Sequence, residues 1–192
     1  MPNTDAPRGL RVLKNPFGTT PQVKVYNATS AVIFRGQLVL LRSDGEVEGI
    51  DSSAVQTADV HILGTAAHYK AASAADSTMH VILDKGDLQY VIQSNDDTQD
   101  TPAEYIGANY ITDNANAGST LTGDSSMELD GATGPLTAVD DGGTGAAILR
   151  VVDIYSGVDN RVVAGDATES ANADFVVVLN PAYLHFANSV GI

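Results

Sequence analysis

The chain has 192 residues, of which 24 are acidic and 10 are basic, and its formal net charge at pH 7 is −14. It contains no Cys, which excludes disulfides, thiolate metal sites and thiol nucleophiles. No stretch approaches 18 apolar residues and the N-terminus lacks a continuous apolar core, so we expect neither a membrane span nor a secretory signal. These features predict a protein that is made in the cytoplasm and has no membrane partner.

The charges are unevenly distributed. The first 42 residues hold six of the ten basic side chains against one acid, Asp5. From Gly86 to Leu149 there are eleven acids and no Lys or Arg. This polarity favours docking of the basic end on an acidic surface, and an acidic body repels nucleic-acid phosphates. We therefore expect no nucleic-acid partner.

Residues 1–22 form the first predicted element, an extended basic arm. Four prolines, Pro2, Pro7, Pro16 and Pro21, exclude a helix or a central strand there. The remainder, residues 23–192, is predicted to be a single β-rich body, because Val and Ile together outnumber Leu by 30 to 14.

Two hairpins are predicted in the first half of the body. In the first hairpin, an apolar run over Gln37–Leu41 meets the turn Ser43-Asp44-Gly45, and Val47 and Ile50 follow. In the second hairpin, Met79–Leu83 and Leu88–Ile92 flank the turn Asp84-Lys85-Gly86.

Further strands are predicted at Val60–His68, Ile148–Tyr155 and Phe175–Leu179, where Pro181 ends the last of them. Residues 93–147 are predicted to be a long, acidic, loop-rich insertion with short strands around Tyr105–Ile111 and Ser126–Leu129. Helix is expected to be scarce, at most a turn near Ser53–Ala58 or Ala72–Asp76. The fold class is therefore mostly β, a compact β-barrel or β-sandwich body with long acidic loops and an extended N-terminal arm.

The known catalytic and nucleotide-binding motifs are missing from the sequence. There is no Gly-x-Ser-x-Gly, P-loop or His-Glu-x-x-His, and the Gly-rich piece at Gly142–Ala147 lacks the pattern of a dinucleotide fingerprint. The four histidines lack metal-ligand spacing, although His68 and His80 could meet across strands. The Asp-rich pieces NDDTQD and VDDGGTG invite calcium but lack the EF-hand register. We expect no catalytic, cofactor-binding or metal residues, and no cofactor.

A set of segments resembles the capsid decoration, or cement, proteins of tailed bacteriophages. These are VYNATSAVIFRGQLVLL, SDGEVEGI, ILGTAAHYKAASA, MHVILDKGDLQYVIQ and the closing ADFVVVLNP, spanning roughly residues 23–181. The turn Lys85-Gly86-Asp87 departs from the Pro-containing turn of that pattern. The resemblance implies a β-barrel or β-sandwich, a homo-oligomer, namely a trimer at capsid threefold positions, the major capsid protein as partner, a place on the capsid exterior of the virion, and no enzymatic activity.

Two other classes stay open. A tail or fibre module that recognises glycans would need exposed aromatic side chains over a cleft, and the chain has seven Tyr, four Phe and no Trp. A glycosidase would need two carboxylates across a cleft, and no spacing selects such a pair.

The arm supplies the candidate capsid contacts. Charged side chains in it would steer the encounter, and apolar ones would hold the contact, since an exposed ion pair contributes at most about 1 kcal/mol and a buried apolar side chain roughly 1.5–3 kcal/mol. We expect a folded body to survive deletion of residues 1–20; the alternative is that the arm packs within its own oligomer. The capsid-contact candidates are Arg8, Leu10, Arg11, Leu13, Lys14 and Phe17, and Val12, Val23 and Val25 are further apolar candidates.

Overall fold

The computed structural model describes residues 3–14, 18, 21–50, 61–73, 77–97, 102–113, 118–132, 134–136 and 147–184. Strands dominate these residues, which confirms the mostly β fold class. They form a closed five-stranded barrel, a five-stranded antiparallel sheet and a two-stranded ribbon. In chain order the strands are β1 (Arg11–Lys14), β2 (Gln22–Ala28), β3 (Leu38–Leu41), β4 (Val47–Gly49), β5 (Ile62–Ala66), β6 (Ser77–Leu83), β7 (Gln89–Gln93), β8 (Asn109–Tyr110), β9 (Thr112–Asp113), β10 (Glu128–Leu129), β11 (Leu149–Ile154) and β12 (Asp174–Leu179).

The barrel has the strand order β2-β4-β3-β5-β6 and a core of small and β-branched side chains. Alternation along β6 shows how the sequence builds it: Met79, Val81 and Leu83 are buried inside, whereas Thr78 and His80 are exposed outside. The interior is completed by Ala28, Ile33, Val39, Val47, Leu63 and Ala66.

Closure of the barrel at β2 is confined to one end. All seven residues of β2 pair with β6, but only Ala28 pairs with β4, opposite Val47. Within the described residues, Gln22–Asn27 therefore has a partner strand on one edge only.

The sheet has the order β1-β7-β12-β11-β8, with β12 at its centre and β1 at one edge. It covers a second core that includes Tyr90, Phe175 and Val177. An aromatic stack crosses this core, because the ring of Tyr105 lies 5.0 Å from those of both Tyr110 and Phe175.

The acidic insertion contributes to the sheet's core as well as to loops. Tyr110, Met127 and Leu129 are all buried in it. The predicted short strands there are β8 and β10, but Tyr105 belongs to a 3-10 turn, Pro102–Tyr105.

The first predicted hairpin is confirmed. Strands β3 and β4 pair in antiparallel register, with Val39 opposite Gly49 and Leu41 opposite Val47. Asp44 shapes the turn by accepting a hydrogen bond from the Glu46 amide at 3.0 Å.

The second predicted hairpin is wrong, although both of its strands exist. β6 belongs to the barrel and β7 to the sheet, because β2 and β5 already occupy the two edges of β6. Asp84 is fully buried at the junction and accepts hydrogen bonds from the Gly86 amide (2.7 Å) and the Tyr90 hydroxyl (3.0 Å). Burial raises the pKa of its carboxyl group. The turn therefore connects the two halves of the molecule.

The remaining predicted strands are confirmed as β5, β11 and β12, and Pro181 begins a 3-10 turn, Pro181–Tyr183, after β12. The one α-helix in the described residues, α1 (Ala167–Ser170), is a single turn capped by Asp166. It was not predicted. The first predicted helical turn, Ser53–Ala58, lies outside the described residues. Of the second, Ala72–Asp76, residues 74–76 lie outside them too, and residues 72 and 73 are not helical. No helix in the described part is long and apolar enough to cross a membrane.

Candidate interaction surfaces

The N-terminal segment, residues 3–14, packs on its own chain. Asn3 is buried, and its Nδ2 donates hydrogen bonds to the carbonyls of Arg161 and Ala171, both at 2.9 Å. Its Oδ1 accepts from the Arg161 amide at 2.6 Å. All three bonds join residues that are more than 150 positions apart in the sequence, so the first described residue is fixed to the C-terminal part of the chain.

Gln93 holds the next part of the segment. Its Nε2 donates to the Thr4 carbonyl and its Oε1 accepts from the Ala6 amide, both at 2.9 Å. Gly9 and Gly36 then pass in close contact with φ angles of 65° and 79°, and a Cβ on Gly9 would lie 2.7 Å from the Gly36 carbonyl oxygen. The structure thus differs from the expected free arm: residues 3–14 are part of the body.

Three arginines gather where this segment meets the barrel. Arg8, Arg11 and Arg35 line a cleft of about 250 Å³ whose walls also include Asp124. We call this cleft the arginine groove. Arg35 pairs with Asp124, and Arg11 pairs with Asp174 at 3.0 Å. The apolar lining of the groove comes from Leu10, Val12, Ala66, Ala67 and Ile82.

The groove lies beside β1, on the side that faces the barrel. Within the described residues β1 pairs only with β7, and on the barrel side the Leu10 amide just before it donates to the Gly36 carbonyl at 2.9 Å. Alternate residues of a strand direct their backbone groups to the same edge, so the backbone of Val12 also faces the barrel side. The groove is lined by apolar side chains from the N-terminal segment and from the barrel, with arginines beside them.

An apolar stripe continues from the groove along the barrel. Ile82 lies opposite Val23 in the β2–β6 register, and Val25 follows on the same face. The side chains of Val23 and Val25 are 53% and 54% exposed. We call these two residues the β2 stripe. It lies on the strand that has an unpartnered edge within the described residues.

The predicted capsid contacts fall in different places. Arg8 and Arg11 meet in the arginine groove, but Leu10 is only 2% exposed and packs in the sheet's core, so it is not available to a partner. Leu13 is 39% exposed and lines a different cleft, beside β11 and Tyr155. Lys14 ends β1, and Phe17 lies outside the described residues.

A polar cleft of about 440 Å³ opens beside the groove. Its walls include Asn3, Gln93 and Asn160, whose side-chain amides are all hydrogen-bonded to backbone groups. Arg8, Asp159 and the ring of Tyr155 also line it. Asn172, in the left-handed region at φ 55°, forms another part of the wall.

An acidic surface lies on the β9–β10 ribbon. Asp113 and Glu128 are opposite one another in the register, while their neighbours Thr112 and Leu129 point inward and are buried. Burial, together with the nearby carboxylates of Asp5, Asp113 and Asp97, raises the pKa of Glu128 to about 7. We call Asp97, Asp113 and Glu128 the acidic ribbon.

Sequence reasoning missed Arg35, Ile82 and Glu128 as surface determinants. Arg35 lies 27 positions from Arg8 along the chain, and contacts such as that between Gly9 and Gly36 bring the two together. Lys70, by contrast, does not belong to the basic surface. It is 6% exposed, and its Nζ donates to the carbonyls of Thr29 (2.7 Å) and Ala31 (2.9 Å).

The candidate metal ligands occupy separate positions. His68 and His80 do meet across strands, with ring centroids 5.1 Å apart in an edge-to-face arrangement. Across the described ranges, no three His, Asp or Glu side chains are placed to hold a metal ion together. Most of the acidic pieces considered for calcium, residues 98–100 and 139–145, lie outside those ranges.

Comparison with known proteins adds no family. No protein-family model matches this chain, and no curated protein matches it either.

Proposed function

We propose that this protein is a structural virion protein that binds the outer surface of a phage capsid as a homo-oligomer and stabilises the shell. The resemblance of residues 23–181 to capsid decoration proteins motivates the proposal, and the β-barrel with its attached sheet is compatible with it. In this proposal the partner is the major capsid protein, the oligomer is a trimer, and the protein performs no catalysis.

The observation that carries the proposal is the β2 stripe beside the arginine groove. Val23 and Val25 are each about half exposed on the part of β2 that has a partner strand on one edge only within the described residues, a feature that proteins usually cover. Burying the exposed halves would contribute roughly 0.8–1.5 kcal/mol each, compared with about 0–1 kcal/mol for an exposed ion pair. The stripe is therefore suited to hold a contact, and the arginines beside it are suited to steer an acidic surface into place.

Pelleting with purified capsids tests this proposal. Capsids of the same virus that lack this protein are mixed with the V23D/V25D double variant, which places charge in the stripe. We expect its affinity for capsids to fall at least about tenfold, because two desolvated carboxylates replace two apolar contacts. V158D is the matched control, since Val158 is fully exposed on a different loop. Undiminished pelleting of V23D/V25D would refute the stripe as the contact.

A second candidate function is glycan recognition, which the polar cleft favours. Its volume of about 440 Å³ lies in the range of small-ligand sites, and Tyr155 supplies an aromatic ring beside Arg8 and Asp159. A glycan array tests it. Binding of a defined saccharide that Y155A abolishes and L121A leaves intact would favour this candidate over the decoration role, because Leu121 is exposed and does not line the cleft.

A further inference from the structure

The arginine groove carries positive charge that its own carboxylates do not balance. Arg11 and Arg35 have Asp174 and Asp124 as partners. Arg8 is exposed and forms no ion pair with any residue in the described part of the chain. Its charge does act on Asp174, where it opposes the rise in pKa that burial causes. The groove thus has three arginines against the carboxylates of Asp174 and Asp124, in a protein whose net charge is −14.

The acidic ribbon has the opposite imbalance. Asp113 and Glu128 lie side by side on one face, with Asp97 and Asp5 close enough to affect the ionisation of Glu128. No Lys or Arg occurs between Gly86 and Leu149, so the segment that carries the ribbon supplies no cation of its own. Like charges in this arrangement repel one another, and an approaching arginine would relieve that repulsion.

We propose that the arginine groove of one copy binds the acidic ribbon of a second copy. The two complementary surfaces lie on the same chain, so the groove of one molecule can meet the ribbon of an identical one in a head-to-tail contact. Two copies that each carry −14 repel one another over most of their surfaces, so a contact is favoured where the groove supplies positive charge. This contact rests on the homo-oligomer part of the proposed function, and a head-to-tail contact closes into a ring such as a trimer when the rotation allows it.

The ribbon of a second copy fits the groove better than an ion alone would. The groove has an apolar side formed by Val12 and Ile82, both partly buried, which an extended chain segment can cover. The charges give the contact its direction, and the apolar side gives it area.

Charge reversal at two exposed residues tests the contact. Arg8 and Asp97 are both exposed, so R8E and D97K leave the core intact. We expect each single variant to weaken self-association at least tenfold in sedimentation velocity at low salt. The double variant R8E/D97K, which restores opposite charges across the same contact, should recover most of that loss. R150E is the matched control for R8E, because Arg150 is exposed on β11 away from the groove.

The outcomes separate this inference from the proposed function. A parent protein that stays monomeric up to about 100 μM, single variants that associate as the parent does, or a double variant that shows no recovery would each overturn the contact. Capsid pelleting of the same variants is read separately. Association that follows the predicted charge pattern without any capsid binding would support the contact and reject the decoration role.

Discussion

Leu10 and Leu13 are close in sequence but have opposite environments, and this difference gives a prediction at the residue scale. Leu10 is 2% exposed in the sheet's core, whereas Leu13 is 39% exposed. We expect L10A to lower the free energy of unfolding by about 2–5 kcal/mol, because it removes buried methyl groups and leaves a cavity. The control L13A should cost less than about 1 kcal/mol. Urea denaturation of both variants checks the prediction, and equal losses would contradict the placement of Leu10.

Glu128 gives a second prediction, on the dependence of stability on pH. Its pKa in the folded protein is about 7, above the ordinary value of 4.5. The unfolded chain therefore releases this proton first, and the folded state loses stability as pH rises from about 4.5 to about 7. E128Q replaces the ionisable carboxyl group with a neutral amide. The free energy of unfolding of E128Q relative to the parent should therefore be higher at pH 8 than at pH 4.

Urea denaturation of the parent and E128Q at the two pH values measures the effect. E104Q is the matched control, because Glu104 is an exposed glutamate in the same acidic insertion. A stability difference between parent and E128Q that does not change with pH would contradict the crowding of charge around Glu128.

At the scale of elements, the sequence predicted strands better than it predicted their partners. Both Asp-containing turns, at Asp44 and Asp84, carry the local chemistry of a hairpin, yet only the first closes one. The difference between the two turns comes from strands that are distant in the sequence. β2 pairs with one edge of β6 along its whole length and β5 pairs with the other, so β7 cannot pair there. Local patterns specify a turn, but competition among distant strands decides which sheet receives the next strand.

The same limit explains the N-terminal segment. Prolines on both sides of Leu10–Lys14 are typical of an extended chain, and an edge strand and a free arm share that conformation. Asn3 and Gln93 decide between them through hydrogen bonds to residues that are distant in sequence. The arginine groove was likewise hidden, because its two halves come from separate segments.

Deletion of residues 1–14 is the prediction that belongs to this scale. It removes β1, the Leu10 side chain and the segment held by Gln93, and it leaves β7 as a new sheet edge. We expect the melting temperature to fall by at least about 10 °C, since 1 kcal/mol corresponds to roughly 2–4 °C for a chain of this size. R8A, which removes one charge and keeps the segment, should melt near the parent. A truncated protein that melts within about 2 °C of the parent would contradict this prediction and support the expectation that the segment is an independent arm.

For the whole molecule, the distribution of charge and apolar surface suggests two roles for two surfaces. The groove and the ribbon are charged and complementary, so under our proposals they direct copies toward one another. The β2 stripe is apolar, because Lys24 between its two valines lies on the other face of the strand, so the stripe is suited to hold a partner of another kind. The protein has a negative net charge, so the local charges of the groove and the ribbon can guide a contact only if electrostatic interactions act over a short distance.

Salt dependence of capsid binding tests this division and is our last prediction. At physiological salt, electrostatic interactions between exposed charges are screened over roughly 8 Å, so they affect the encounter more than the bound state. Raising NaCl from 50 to 300 mM should slow association with immobilised capsids severalfold and change the dissociation rate less than twofold. The V23D/V25D variant should instead differ from the parent mainly in its dissociation rate, which should be faster, because the stripe acts after the encounter. A dissociation rate in the parent that rises steeply with salt would mean that charges, and not the valines of β2, hold the complex.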